Sequence, residues 1–405
     1  MSKFDEACKQ SPFLNLHVKT REFIKQKSDL YSFSFSQIRQ LITAAVDLQM
    51  WDFDIKDLWQ DKTYNKESLK GFFEEYERIK NCPKEYPPLS VPKQNPKLKF
   101  LSVDKNIIGF GKCPVASPKT RCCNLLTLDV IEGCAFGCSY CSIQTFYGSN
   151  ISFNKDFASK LLQIKLNPNE IYHIGTGQSS DSLMLGNKEG ILEALIEFAR
   201  QNPNVILEFK SKSDNISYLL KANLPPNIIC TFSLNPQVII DNEEHFTASL
   251  EKRIKAALKL SQNGILTGFH FHPMIWFNGW QEEYEAIANE LTQRFKPENV
   301  ALVSIGALTF TKPVLKQIRT KADSNHILRM PLLDTNGKFS YPMHIKEEMF
   351  GVLYRAFKAW HKDIFFYLCM EDKSLWQKVF GYEFESNEVF EKAMKEAYMN
   401  KIRIK

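Results

Sequence analysis

From about residue 98 the chain settles into a rhythm that few folds accept: strand-length apolar runs alternate with amphipathic helical stretches. "NLLTLDVI" and "EIYHIGTG" read as strands, and "KEGILEALIEFARQN" as a helix followed by the strand-like "VILEFKS". "ISYLLKAN" reads as a helix, "IICTFSLN" as a strand, and "SLEKRIKAALKLSQNG" as a helix closed by Gly264. "LTGFHFHPMI", "GWQEEYEAIANELTQRF" and "VALVSIGALTF" continue the alternation as strand, helix and strand. Units of this kind pair as parallel strands through right-handed crossovers. The expected fold class is α/β, a partial (β/α)6 TIM-type barrel over 98–320 with its chemistry at the carboxyl ends of the strands. A doubly wound open sheet carries the same pattern and stays open as the rival.

Helical additions flank this block. Residues 1–97 read as a helical N-terminal region with a proline-rich linker. "FSQIRQLITAAVDLQMWDFDIKDLWQD" (35–61) and "KESLKGFFEEYERIK" carry helical apolar spacing. "NCPKEYPPLSVPKQNPK" (81–97) holds five prolines and suits neither helix nor central strand. Residues 321–405 read as a hairpin and helical C-terminal region, with Asn336-Gly337 between two strand-like runs.

A chain of 405 residues exceeds one small core, and 44% hydrophobic with 24% charged residues is ordinary for a soluble enzyme. No apolar run is long enough for a bilayer, and the polar N-terminus lacks an apolar signal core. The expectation is a cytoplasmic protein with no membrane partner. Ten cysteines in such a compartment point to metal ligands or reactive thiols in place of disulfides. The net charge of +6 permits nucleic-acid binding without requiring it.

The chemistry concentrates in "LDVIEGCAFGCSYCSIQTFYG" (128–148), where Cys134, Cys138 and Cys141 form C-x3-C-x2-C at the end of a strand. Three thiolates on one loop hold three irons of a [4Fe–4S] cube and leave the fourth iron open to a ligand. Gly133 and Gly137 let the backbone wrap closely. A zinc site needs a fourth ligand, available from Cys122, Cys123 or a histidine, and stays open as the alternative.

With aromatic Tyr140 before its last cysteine, this motif resembles the signature of the radical S-adenosylmethionine (SAM) enzymes. The resemblance implies two cofactors, a [4Fe–4S] cluster and SAM, whose reductive cleavage yields a 5′-deoxyadenosyl radical. It implies a reductant partner such as flavodoxin or ferredoxin. It also assigns strand-end residues to SAM: Gly175 and Gly177 by their bare backbone, with Ser179 and Asp181 nearby, Lys212 for the carboxylate, and Ser233 and Asn235 for the ribose. The segment Gly264 to Gly268 is placed near the adenine. His270 and His272 alternate on one strand face, as substrate-facing or core histidines.

"CSYCSIQTFYGSN", "SLEKRIKAALKLSQNG", "GFHFHPMI", "GWQEEYEAI" and "FTKP" together resemble the spore photoproduct lyase family, over about 99–365. That resemblance implies splitting of a methylene-bridged thymine dimer in DNA, with a cysteine returning a hydrogen and a tyrosine pair relaying the radical. Tyr140 occupies one relay position and is the expected catalytic residue. The sequence departs at three others. Gln178 stands at the donor cysteine, Ser142 at the second relay tyrosine, and Thr309 near an arginine suited to a DNA phosphate. The scaffold and SAM machinery carry over, and the enzyme is expected to be lyase-like. DNA or another nucleic acid is the expected substrate class, with a non-DNA radical enzyme and a non-catalytic metal-binding protein as alternatives. Cys122, Cys123, Cys230 and Cys369 are the other thiols weighed as donors. Lys338, Phe339 and Tyr341 of the hairpin are its candidate phosphate and base contacts.

Overall fold

The computed structural model describes residues 2–9, 11–61, 65–86, 98–105, 109–113, 120–142, 150–320, 326–335 and 337–404. The chain forms two compact units. The first contains 1–85, 276–278 and 309–342, and the second 86–275, 279–308 and 343–405. Division by sequence texture put boundaries at 97 and 320; the contacts instead group 309–342 with the N-terminal helices.

A buried polar knot accounts for that grouping. Asp47 of the helix Phe35–Met50 accepts from Tyr76 Oη at 2.7 Å and from Arg319 Nε and Nη2 at 2.7 and 2.8 Å. A buried carboxylate held in this bidentate way fixes the helix Lys312–Thr320 against the N-terminal helices. The helix expected over 35–61 ends at Met50, and a 3-10 turn follows at Ile55–Leu58. Asp52, at φ 61, reverses the chain between them. The same unit holds the antiparallel strands Thr309–Thr311, Lys338–Ser340 and Leu333–Thr335. The hairpin expected at Asn336-Gly337 is present, with Gly337 at φ 81, although Asn336 itself lies outside the described residues. Tyr341, a candidate base-stacking residue, is only 3% exposed and accepts a hydrogen bond from Trp276 N. Residues 87–97 of the proline-rich stretch lie outside the described residues.

The second unit is organised by an eight-stranded sheet. In chain order its strands are β1 (Gly109–Lys112), β2 (Leu126–Asp129), β3 (Tyr172–Thr176), β4 (Val205–Ser211), β5 (Ile228–Ser233), β6 (Leu266–Met274), β7 (Val300–Ala307) and β8 (Phe365–Leu368). They lie side by side in that sequence, with β2 to β8 parallel and β1 antiparallel at the edge. The order never reverses, so the switch point of a doubly wound sheet is absent among the described strands. The sheet is α/β and does not close: no ladder joins β8 to β1 among the described residues. An isolated antiparallel bridge links Thr120 to Asp372.

Two expected elements differ. "ISYLLKAN" forms turns and not a helix, cut short by Pro225 and Pro226 after two helical hydrogen bonds. The region expected to be helical after 343 supplies β8, whose "FFYL" run pairs with β7. No helix is long and apolar enough to cross a membrane among the described residues.

A polar group lies within the sheet's core. Glu208 on β4 accepts from His173 Nε2 at 2.8 Å, His270 Nε2 at 2.7 Å and Thr231 Oγ1 at 2.6 Å, so His270 is a core histidine. Burial first, then the Lys210 charge, pulls His270 down to about 4 despite Glu208. The unfolded chain takes up that proton near pH 6.5, and the folded chain resists until pH falls to about 4. Stability from His270 is therefore complete above about pH 6.5 and falls by about 1.4 kcal/mol per pH unit through that window. Glu208 is itself held well below its ordinary range, so its contribution is also lost only towards acid. Denaturant midpoints compared at about pH 7 and pH 5 should show the loss, and a flat profile would contradict it.

Candidate active site

The cysteine loop leaves the carboxyl end of β2 and is pinned at both sides. Ser179 O accepts from Gly133 N at 3.0 Å, and Ser180 Oγ donates to Gly133 O at 2.7 Å. Asp129 Oδ1 accepts from Ser179 N and Oγ at 3.2 and 2.7 Å. Gly133 sits at φ 85, where an added Cβ would lie 2.1 Å from Asn150 O. No other residue fits there. On the far side, Gly137–Cys138 pairs antiparallel with Glu244–His245, and Ser139 N donates to Glu243 O at 2.8 Å. Cys141 N closes a turn onto Cys138 O at 3.0 Å.

All three cysteines are free of disulfides. Burial raises the Cys134 and Cys138 thiols, and each also senses the charge of Cys141. Phe136 N donates to the Cys134 sulfur, the kind of contact that supports a thiolate. Among the described residues no three His, Cys, Asp or Glu side chains converge as ligands of a single metal ion.

Beside the loop a carboxylate gathers three hydrogen-bond donors and a fourth, ion-pair partner. Glu244 Oε1 accepts from Lys212 Nζ at 3.0 Å, from Asn235 Nδ2 at 2.7 Å and from Tyr140 Oη. Its Oε2 pairs with Arg253 Nη1 at 2.7 Å. Glu244 and Arg253 are 1% and 0% exposed. Burial alone would raise this carboxyl. The Lys212 and Arg253 charges, with the bonds from Tyr140 and Asn235, outweigh it and hold Glu244 well below the usual carboxylate range. Tyr140 is pushed the other way, by burial and then by the Glu244 charge, so its phenol stays protonated. The knot contains two cations and one carboxylate, an excess of positive charge in a desolvated place.

The expected site residues divide. Tyr140, Lys212 and Asn235 meet at Glu244. Asn235 is fully buried and also accepts from Tyr284 Oη at 2.6 Å. Ser233 is buried, its carbonyl accepting from Arg253 Nη1 at 2.8 Å. Ser179 spends its hydroxyl on Asp129 and Ile131 O, and so clamps the cysteine loop. Gly175 lies inside β3, its Cβ position 3.0 Å from the Leu125 side chain. Gly177 ends the strand at φ 81. An alanine there would place Cβ 2.7 Å from Ser182 Oγ and 3.2 Å from Lys210 O. Gly177→Ala is expected to cost about 1–3 kcal/mol in thermal unfolding, and an unchanged midpoint would refute the close approach. Asp181 accepts from Lys212 N and Ser211 Oγ, both at 2.7 Å, and organises backbone. Sequence reasoning missed Glu244 and Arg253. The "EEH" run has no spacing that marks it, because its partners lie on separate elements.

The family model for spore photoproduct lyase matches residues 117–339. The chain belongs to the spore photoproduct lyase family. A spore photoproduct lyase of Clostridium acetobutylicum is 25% identical over 220 residues, 53% of this chain and 64% of that one. Another, from Bacillus subtilis, is 30% identical over 167 residues, 39% of this chain and 48% of that one. The chain thus spans less than two thirds of these relatives' lengths. Among solved structures, a spore photoproduct lyase complexed with dinucleoside spore photoproduct aligns with TM-score 0.56 at 20% identity, covering 66% of this chain and 82% of that one. A mutant spore photoproduct lyase with bound AdoMet and dinucleoside spore photoproduct aligns with TM-score 0.57 at 19% identity, covering 74% and 94%. At those identities the structures speak for the fold.

Proposed function

We propose that this chain is a radical SAM enzyme of the spore photoproduct lyase type, acting on a nucleic-acid base or lesion. One observation carries the reading: the loop with Cys134, Cys138 and Cys141 is strapped against a buried knot of Lys212, Arg253, Asn235 and Tyr140 around Glu244. The three thiolates would hold a [4Fe–4S] cluster, and the excess positive charge at Lys212 suits the carboxylate of SAM. When bound, cluster and SAM together supply a 5′-deoxyadenosyl radical for hydrogen abstraction. Glu244 orients Lys212 and keeps the Tyr140 phenol in place; Ser233 and Asn235 line the adjoining strand end. The strictly sequential strands and the Thr120–Asp372 bridge support a partial (β/α)6 barrel as the scaffold. A cytoplasmic location and a flavodoxin- or ferredoxin-type reductant belong to the same proposal.

Gln178, half-buried beside Ser179, offers no thiol hydrogen, which favours a second reading: a radical enzyme on a different substrate. One experiment separates the two. An oligonucleotide carrying a deuterated methylene-bridged thymine dimer should pass deuterium into 5′-deoxyadenosine. Production of unlabelled 5′-deoxyadenosine alone would remove the thymine-lesion reading and leave the radical chemistry standing.

A further inference from the structure

Near the carboxyl ends of the strands, Lys210 has no counter-charge among the described residues. Lys210 on β4 follows Glu208 at a spacing of two, so both side chains leave the same face of the sheet. That face is fixed by the contacts of Glu208 with His270 on β6 and Thr231 on β5. His272, two residues beyond His270, lies on it too, and its ring packs onto Gly306 of β7, where a Cβ would stand 2.9 Å from the ring. Cys369, just past β8, is tied by its N–H to Ile305 O at 2.7 Å. The Lys210 charge lowers the pKa of His270, His272 and Cys369, in keeping with its place on the same face.

The nearby carboxylates are already committed. Glu208 is taken by two histidines and a threonine. Glu371 accepts from Lys346 Nζ at 2.8 Å and Ala307 N at 2.9 Å. Lys210 Nζ has neither a hydrogen bond nor an ion pair among the described residues, and the remaining residues of its unit include no Asp or Glu. His272, half-buried, likewise has no hydrogen-bond partner among the described residues. A half-buried lysine with no anion among the described residues, on the same face as an imidazole with no partner among them, is a receptor for an anionic group.

We propose that Lys210, with His272 beside it, forms an anion subsite that takes a phosphodiester of a nucleic-acid substrate. The choice of phosphodiester rests on the function proposed above; the anion subsite does not. Acetylation of lysines in the whole reconstituted protein, mapped residue by residue by mass spectrometry, tests both. Lys210 should react in buffer, and inorganic phosphate or thymidylyl-thymidine should slow it several-fold while exposed Lys255 is unaffected. A Lys210 that does not react, or that neither ligand protects, overturns the subsite. Protection by phosphate but not by the dinucleotide keeps the subsite and removes its nucleic-acid ligand. As a second arm, Lys210→Met should weaken dinucleotide binding about tenfold, the value of one charge-assisted bond, and leave the phosphate-free thymidine pair unchanged. Equal affinity of wild type and variant for the dinucleotide would overturn the assignment.

Discussion

Glu244→Ala is expected to destabilise the second unit by about 3–5 kcal/mol, the cost of stranding one partner of a buried ion pair. Arg253, with no exposed surface, would keep its bonds to Ser233 O at 2.8 Å and Thr247 Oγ1 at 2.6 Å but lose its only carboxylate among the described residues. Lys212 would lose the same partner, and Tyr140 and Asn235 their acceptor. The strap is made by the Glu244 backbone, which survives the substitution, so the loss measures the side chain. Chemical denaturation followed by circular dichroism checks it. A loss below about 1 kcal/mol, the scale of an exposed pair, would mean the knot contributes little to folding.

Cys138→Ala should reduce the iron of reconstituted protein to background and abolish 5′-deoxyadenosine formation. Cys138 is the buried middle cysteine of the three, paired with Glu244 through the strap, and no other described thiol stands on that loop beyond Cys134 and Cys141. Cys230→Ala is the matched control. It removes an equally buried thiol, but Cys230 precedes Thr231 on β5 and so leaves the opposite face from the one occupied by Glu208. Iron content should be unchanged in that variant. Retention of a full cluster by Cys138→Ala would break the assignment of the ligands.

The parts of this site that were legible in the sequence are the local ones. The cysteine spacing is written within eight residues of chain, and a period-two strand pattern puts Lys212, Ser233 and Asn235 at strand ends. Gly175 was read one step late because β3 runs on to Thr176, which puts this glycine inside the strand and against Leu125. Glu244 was invisible because its meaning is tertiary: its four partners come from the cysteine loop, the ends of β4 and β5, and a helix. The β8 strand was hidden between helices, its four residues too few to show a period. Strand order was legible only as alternation; the absence of a reversal, which excludes the doubly wound rival among the described strands, had to be seen.

The central claim is that three cysteines and the knot around Glu244 make a radical SAM site. Anaerobic reconstitution with iron and sulfide, reduction, and addition of SAM tests it most directly. The account predicts a [4Fe–4S] signal whose electron paramagnetic resonance spectrum changes on SAM addition, together with 5′-deoxyadenosine formation. A protein that takes up no cluster, or a reduced cluster that yields no 5′-deoxyadenosine from SAM, would contradict it.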